Sequence, residues 1–586
     1  MMVIPAARLK FRRQVSRLRT FASSQPKNPR RLVLAILYLW CEKRFPLLLP
    51  DKVPFACVAL IKDKAVREFV DWLLEQPFNE AAFWLASAYA LWVGETAQAQ
   101  QALFFTPPMM AERVIDNLLK HGASLTGHHW HDPACGGAAF LVPIAQRMTK
   151  ELTNAGVSPK KQIERIEKNL SGNDLDPLLL QLSSTFLGMS LYPLIEATGV
   201  KPQIRLCCGD GLTASSLRSL KPHVLALNPP YRKLKRSEVT RYRPLHSDVI
   251  DGQPNVYGLF MNRALQLVAE GGLIGLLTPT SFLSGRSFML LREKLLASCD
   301  ALQIDMLSDR KSVFMNVEQE TAVTILKVRD NRRPTKSATE INLLESGGKF
   351  TVVGHLAMPS YGNPWPIPRS AEDAQWITLV STSRSRIGDY GYQATIGSLV
   401  AYRDKRTRLA VSPSEIDAGL VLPLIWATDI SPEGTFVHGR TAGHRSAERF
   451  VQLQNRSENC IIRGQAVILQ RLTSSDQRSR LVAASVPNEF LKQHGGFVCE
   501  NHVIVLRAVR DDALDSNLLA ALLNTRCVNQ VFRAISGSSN VSIFELDRLP
   551  LPHPVSFIAS LSDAASMEEA VRAAYEKNRS ATSRRA

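Results

Sequence analysis

Between His131 and Tyr231 four short apolar runs each stop at a turn built from an acid, a glycine or a proline: HDPACGGAAFL, SGNDLDPLLL, IRLCCGDGL and VLALNPPY. A strand that is apolar along its whole length must be covered on both faces, and the helix-like stretches between the runs supply that cover. The repetition predicts an α/β sandwich around a mostly parallel sheet, with its ligand crevice beyond the carboxyl ends of the strands. The pattern continues downstream. VYGLFMNRALQLVAEGG reads as a helix, LIGLLTPTSFL as a buried strand and turn, residues 287 to 297 as another helix, and ALQIDML and TAVTILKV as further strands.

The flanks differ in character. Residues 1 to 41 carry nine Lys or Arg and no Asp or Glu, which reads as a solvated, poorly ordered leader, with a nucleic-acid arm or an organelle-targeting segment as alternatives. From Leu34 to Ala99 the chain is rich in Leu, Ala, Phe and Trp and reads as several helices, with Phe69, Trp72 and Leu73 on one core stripe. The polar DNRRPTKS at residues 330 to 337 marks an expected domain boundary. Three regions follow: 1–99, a basic leader and helical region; 100–330, the α/β domain; and 331–586, a mixed domain. In the last, AVILQRL and HVIVLRAV read as strands, and LLAALLNTRCVNQVFRAI as one amphipathic helix. An excess of 71 Lys and Arg over 53 Asp and Glu gives a net charge of +18, which suits a polyanionic partner. Nine scattered cysteines are no disulfide framework, so a reduced, cytoplasmic chain is expected, with no membrane partner.

The strand ends carry the chemistry. Asp132 stands beside the tight, small-residue turn Ala134, Cys135, Gly136, where the backbone can approach a ligand closely. Asp174 can accept hydrogen bonds from two ribose hydroxyls while Leu175 lies against a base, and Asp210 can accept from an exocyclic amine. Each acid taken alone reads equally well as a helix cap or a solvated turn. In Asn228, Pro229, Pro230, Tyr231 the two prolines stiffen the backbone, so the Asn228 oxygen and the Pro229 carbonyl can face one small volume walled by the Tyr231 ring. Two acceptors and a stacking surface suit an amino group on a planar base. HHWHDPAC lacks the two-part spacing of a zinc site, and no metal is expected.

In this order, FFTPP at 104 to 108, DPACGG and NPPY resemble the N6-adenine DNA methyltransferases of the gamma arrangement, the modification enzymes of type II restriction systems. The resemblance covers roughly residues 100 to 330. It implies a Rossmann-like, S-adenosylmethionine-dependent methyltransferase domain followed by a DNA target-recognition domain. Thr106, Asp132 and the Ala134 to Gly136 backbone would lie near the cofactor methionine, Asp174 on its ribose and Asp210 on its adenine. Asn228, Pro229, Pro230 and Tyr231 would receive a flipped adenine, and Phe314 resembles a second aromatic against that base. Ala138 stands where the family commonly has glycine, and Gly211 where many relatives have an aromatic. In the carboxyl-terminal region Arg471, Arg478 and Arg480 are candidate contacts to double-stranded DNA. A separate restriction endonuclease is an open partner. Methylation of RNA or of a protein amide, and a decayed DNA-binding specificity protein, are the competing readings.

Overall fold

The computed structural model describes residues 5–23, 28–50, 57–94, 105–214, 220–307, 320–330, 338–345, 348–410, 421–440, 448–455, 458–473, 479–536 and 540–583. These divide into two compact units, one comprising residues 1–282 and 287–362, the other 283–286 and 363–586.

The first unit begins with helices α1 (Pro5–Ser23), α2 (Asn28–Arg44), α3 (Lys64–Leu74), α4 (Phe78–Val93) and α5 (Pro108–Lys120). The described part of the amino-terminal leader is helical, where a poorly ordered segment was expected. Six of its nine basic residues share α1 with Phe11, Val15 and Leu18, spaced on one helical face and all buried. Phe11 packs 4.6 Å from Trp84. Burial of three such side chains contributes about 1.5–3 kcal/mol each, more than enough to dock a helix whose charges remain on the opposite face.

The sheet of this unit contains β1 (Trp130–Asp132), β2 (Leu170–Asp174), β3 (Arg205–Cys208), β4 (Val224–Leu227), β5 (Leu273–Pro279), β6 (Cys299–Leu307), β7 (Thr321–Val328), β8 (Thr339–Leu344) and β9 (Phe350–Leu356). Their spatial order is β3-β2-β1-β4-β5-β7-β6-β8-β9. Strands β1 to β5 run parallel, with Trp130 opposite Leu170 on one side and Val224 on the other. Strand β7 is antiparallel to both β5 and β6. Sequence order reverses between β1 and β4, which opens a crevice at their carboxyl ends, where Asp132 and Asn228 lie.

The sheet passes the expected boundary near residue 330, because β8 pairs in parallel with β6. A buried polar cluster fixes that extension: Asp305 on β6 accepts from Arg113 and Asn117 of α5, both at 2.6 Å, and from Asn342 of β8 at 2.8 Å. The acid is fully buried, so losing any partner would leave charge or donors unsatisfied. Polar residues at this edge are therefore sheet residues, and the break falls near Gly362.

The second unit holds two sheets of four described strands: β10 (Tyr392–Ile396), β17 (Val503–Ala508), β14 (Ala466–Gln470) and β15 (Ala483–Ser485) in that order in one, and β11 (Arg408–Leu409), β13 (Phe450–Gln452), β12 (Val421–Ile425) and β16 (Val498–Cys499) in the other. The expected strands appear as β14 (Ala466–Gln470) and β17 (Val503–Ala508). The single helix expected after them is two, Ser516–Asn524 and Arg526–Ile535, because Thr525 is extended with ψ 146°. Both helices still pack Leu519, Val528 and Phe532 into the core with Val467 and Leu506.

Candidate active site

At the end of β1 the Asp132 side chain accepts from the Ala134 amide at 2.9 Å, turning the chain out of the sheet. Burial raises its carboxyl well above the usual range, against the pull of the Ala134 N–H, and the neighbouring Asp174 pushes it further up. Gly136 takes φ +52° and donates its amide to Asp174 at 2.9 Å. Ala138, rather than Gly137, adopts the left-handed conformation, at φ +59°. Its methyl group is fully buried, so packing compensates a conformation that costs an L-residue about 1–2 kcal/mol.

Asp174, at the end of β2, also accepts from the Asp176 amide at 2.9 Å. Burial raises its carboxyl too, although both backbone donors oppose the shift. Leu175 is 70% exposed, beside the turn. Asp176 caps the helix Pro177–Ser190 through the Leu178 amide and accepts from Tyr89 Oη at 2.8 Å. Beyond β3, Asp210 accepts from the Leu212 amide at 3.0 Å and, on its other oxygen, from Tyr242 at 2.9 Å and Arg241 at 3.0 Å. A Cβ at Gly211 would come 2.2 Å from the Pro133 carbonyl oxygen and 3.0 Å from the Phe260 ring, so an aromatic cannot stand there.

At the end of β4 the Asn228 amide is held at both ends. Its nitrogen donates to Thr106 Oγ1 at 3.0 Å, and its oxygen lies 2.5 Å from the Tyr231 hydroxyl. That hydroxyl is also 3.0 Å from the Leu277 carbonyl, and burial raises its pKa well above the ordinary value. The Tyr231 ring meets Tyr257 edge-on at 6.2 Å.

These strand ends surround one cavity of about 490 Å³. Thr106, Asp132, Ala134, Cys135, Gly136, Asp174, Leu175, Asp210, Asn228 and Pro230 line it, as do Phe105, Tyr242, Val256 and Phe260. Pro229 and Tyr231 do not appear on that wall. The Tyr231 ring is spent on inward packing, and its hydroxyl orients Asn228. Phe314 lies outside the described residues. Sequence reasoning missed Tyr242 and Phe260, which reach the cavity from helices and carry no motif of their own. Carboxylates only accept, so three of them around one cavity suit a donor-rich ligand bearing positive charge.

The histidines before this loop are structural. His129 Nε2 and His131 Nδ1 lie 2.8 and 2.9 Å from Ser171 Oγ. Burial lowers the His131 pKa to about 3, so the folded chain resists a proton that the unfolded chain accepts near the ordinary value. A lowered pKa gives stability that is full above the unfolded value and lost as pH falls below it, at up to about 1.4 kcal/mol per pH unit for one proton. Thermal melting between pH 7 and 5 is therefore expected to show a shallower acid loss for His131→Asn than for the parent chain. Parallel pH profiles would contradict this assignment.

In the second unit Arg471 is half-buried and donates to the Asn501 carbonyl at 2.9 Å. Arg478 lies outside the described residues. Arg480 is not a surface contact: it is 2% exposed, and its guanidinium reaches Thr473 Oγ1 at 3.0 Å and Ser536 Oγ at 3.1 Å. Its sequence context could not show that Thr473 and Ser536 enclose its guanidinium. Arg480→Ala is expected to destabilise this unit by about 2–4 kcal/mol by leaving buried acceptors unpaired. Chemical denaturation would measure the loss, and an unchanged midpoint would return Arg480 to the surface.

Comparisons with known proteins find likenesses to restriction-modification methyltransferases. A family model described as Eco57I restriction-modification methylase matches residues 225–314. The type II methyltransferase M.PstI of Providencia stuartii is 26% identical over 347 residues, covering 56% of this chain and 64% of that protein. M.BanIII of Aneurinibacillus aneurinilyticus is 23% identical over 330 residues, covering 49% and 54%. This chain thus spans between half and two thirds of the length of these relatives. The type IIL restriction-modification enzyme MmeI, solved in complex with DNA, matches with a TM-score of 0.54 at 11% identity, over 93% of this chain and 87% of that one. The sequence likenesses are to restriction-modification methylases, and the likeness to MmeI is one of fold.

Proposed function

We propose that this chain is a site-specific DNA adenine methyltransferase, transferring the methyl group of S-adenosylmethionine to N6 of an adenine flipped out of duplex DNA. The observation that carries this reading is the convergence of Asp132, Asp174, Asp210 and Asn228 on one cavity where the strand order reverses. The acceptor set fits the cofactor: a cationic amino acid end for Asp132, a vicinal diol for Asp174 with Leu175 against the base, and an exocyclic amine for Asp210. Thr106 and the Ala134, Cys135 and Gly136 backbone complete the methionine end. When bound, S-adenosylmethionine supplies a methyl group already activated by its sulfonium.

The protein's task is orientation. An adenine amino group is a poor nucleophile because its lone pair is delocalised into the ring. Asn228 Oδ1 and the Pro229 carbonyl would accept its two hydrogens and favour the pyramidal nitrogen that presents the lone pair. Pro229 and Pro230 keep the loop stiff, and the Tyr231 hydroxyl sets the Asn228 amide. Stacking on the base requires the Tyr231 ring to turn outward and release the Asn228 amide to the incoming amino group, with Phe314 as its proposed partner. Alignment of reactants can supply several kcal/mol, and dipoles matched to the developing charge add to it. DNA and recognition contacts offset the few kcal/mol of unpairing. Arg471 and Arg478 stay as proposed DNA contacts, and a separate endonuclease as a proposed partner.

The test is incorporation of label from S-adenosylmethionine into unmethylated duplex DNA, with nucleoside analysis. N6-methyladenine at a recurring site is the expected product. Transfer only to RNA or protein, or cofactor binding without any transfer, would overturn the proposal.

A further inference from the structure

Helix Arg236–His246 places Tyr242 in the cavity wall and Glu238 on Arg232, which also lines the cavity, and none of its residues belongs to the strand-end motifs. We propose that this helix is a strap in which Tyr242 positions Asp210 for a purine amino group, while Glu238 ties the same helix to the Asn228 loop. The inference rests on the cofactor reading above and deepens it.

The Asp210 carboxylate offers about four acceptor positions. The Leu212 amide takes one on the first oxygen, and Tyr242 and Arg241 take two on the second. That leaves the first oxygen to meet a ligand amine. The two donors on the second oxygen are unequal. Arg241 is 61% exposed in its side chain, so solvent screens its pairing. Tyr242 is 6% exposed, and its hydroxyl holds the carboxylate plane from within. Burial and the Asp210 charge push the Tyr242 pKa up to about 12, so the hydroxyl remains a donor at neutral pH.

One turn earlier, Glu238 accepts two hydrogen bonds from Arg232, at 2.8 and 2.7 Å. Arg232 follows Tyr231 directly and itself lines the cavity. Residues 238, 241 and 242 stand three and four apart, on one helical face. The far end is fixed as well, since Gln266 donates to the Leu245 carbonyl at 2.8 Å. A single rigid element therefore connects the amine acceptor with the loop that carries Asn228.

The test is calorimetric titration of the full chain with S-adenosylhomocysteine and with its analogue bearing hydrogen in place of the purine amino group. A charged hydrogen bond in a sheltered site discriminates about tenfold or more, so the parent chain is expected to prefer the amino form by that factor. Tyr242→Phe keeps the ring packing and is expected to lose most of the preference by weakening the amino form alone. Tyr242→His, which restores a ring donor, is expected to recover part of it. Equal weakening of both ligands by Tyr242→Phe, or an unchanged preference, would overturn the strap. Failure of the parent chain to bind either ligand would instead remove the cofactor reading. If Tyr242→Phe does not fold, Tyr242→His carries the same comparison, and equal weakening of both ligands there overturns the inference.

Discussion

Replacing Asn228 with alanine is expected to lower the rate of methyl transfer by about 10²–10³-fold, the usual cost of removing one oriented dipole from a reacting centre. Affinity for DNA and for S-adenosylhomocysteine should change far less. The separation follows from the geometry. Asn228 sits at the end of a fully buried strand, so the loop position is set by β4 rather than by the amide. Its loss removes a partner from Thr106 and from Tyr231, yet the Tyr231 hydroxyl retains the Leu277 carbonyl at 3.0 Å. The cavity should therefore keep its shape and lose an acceptor. Asn228→Asp keeps an oxygen there but cannot donate to Thr106, and is expected to fall between the parent and the alanine variant. Single-turnover rates at saturating cofactor would decide. Unchanged turnover in Asn228→Ala would eliminate the amino-group clamp.

The strand-end acids were legible because of where they stand. A carboxylate that closes an apolar run has left the sheet but not the crevice, and three such endings in one hundred residues, with the Asn228 turn as a fourth, specify both the parallel sheet and its ligand face. What the sequence hid was of two kinds. Contacts between distant segments leave no period: Tyr242 is thirty-two residues from Asp210, and nothing in its own helix announces the bond. Burial can also overrule residue type. The arginines of α1 suggested a solvated leader while three buried residues held the helix, and Arg480 looked like a DNA contact while serving as an internal brace. The boundary misjudged at DNRRPTKS has the same origin, because the β6 to β8 pairing crosses it. Ala138 shows the limit at a single backbone position: it stands where the resembled family commonly has glycine, and it takes the left-handed conformation itself, at φ +59°.

Asp174→Ala is expected to weaken S-adenosylhomocysteine binding by about 10²-fold or more, since two charge-assisted hydrogen bonds to ribose hydroxyls are each worth about 1.5–3 kcal/mol before reorganisation. Part of the loss is indirect. The same carboxylate holds the Gly136 and Asp176 amides, each at 2.9 Å, so alanine also loosens the turn that approaches the methionine end. Asp174→Asn separates the two effects, because its oxygen still accepts from one amide but carries no charge. The pH dependence gives an independent reading. Burial raises the Asp174 carboxyl, so its contribution to folding is full below the unfolded value and is lost as pH rises through the folded one. Ligand hydroxyls prefer the ionised acceptor, so affinity should rise over that same window, and Asp174→Asn should lose the part of the rise that Asp174 supplies. Calorimetry from the ordinary carboxylate range up to neutral pH tests both variants. An unchanged affinity in Asp174→Ala would reject the ribose role, whereas a loss in alanine with full affinity and full pH dependence in asparagine would show that the acid only shapes the turn.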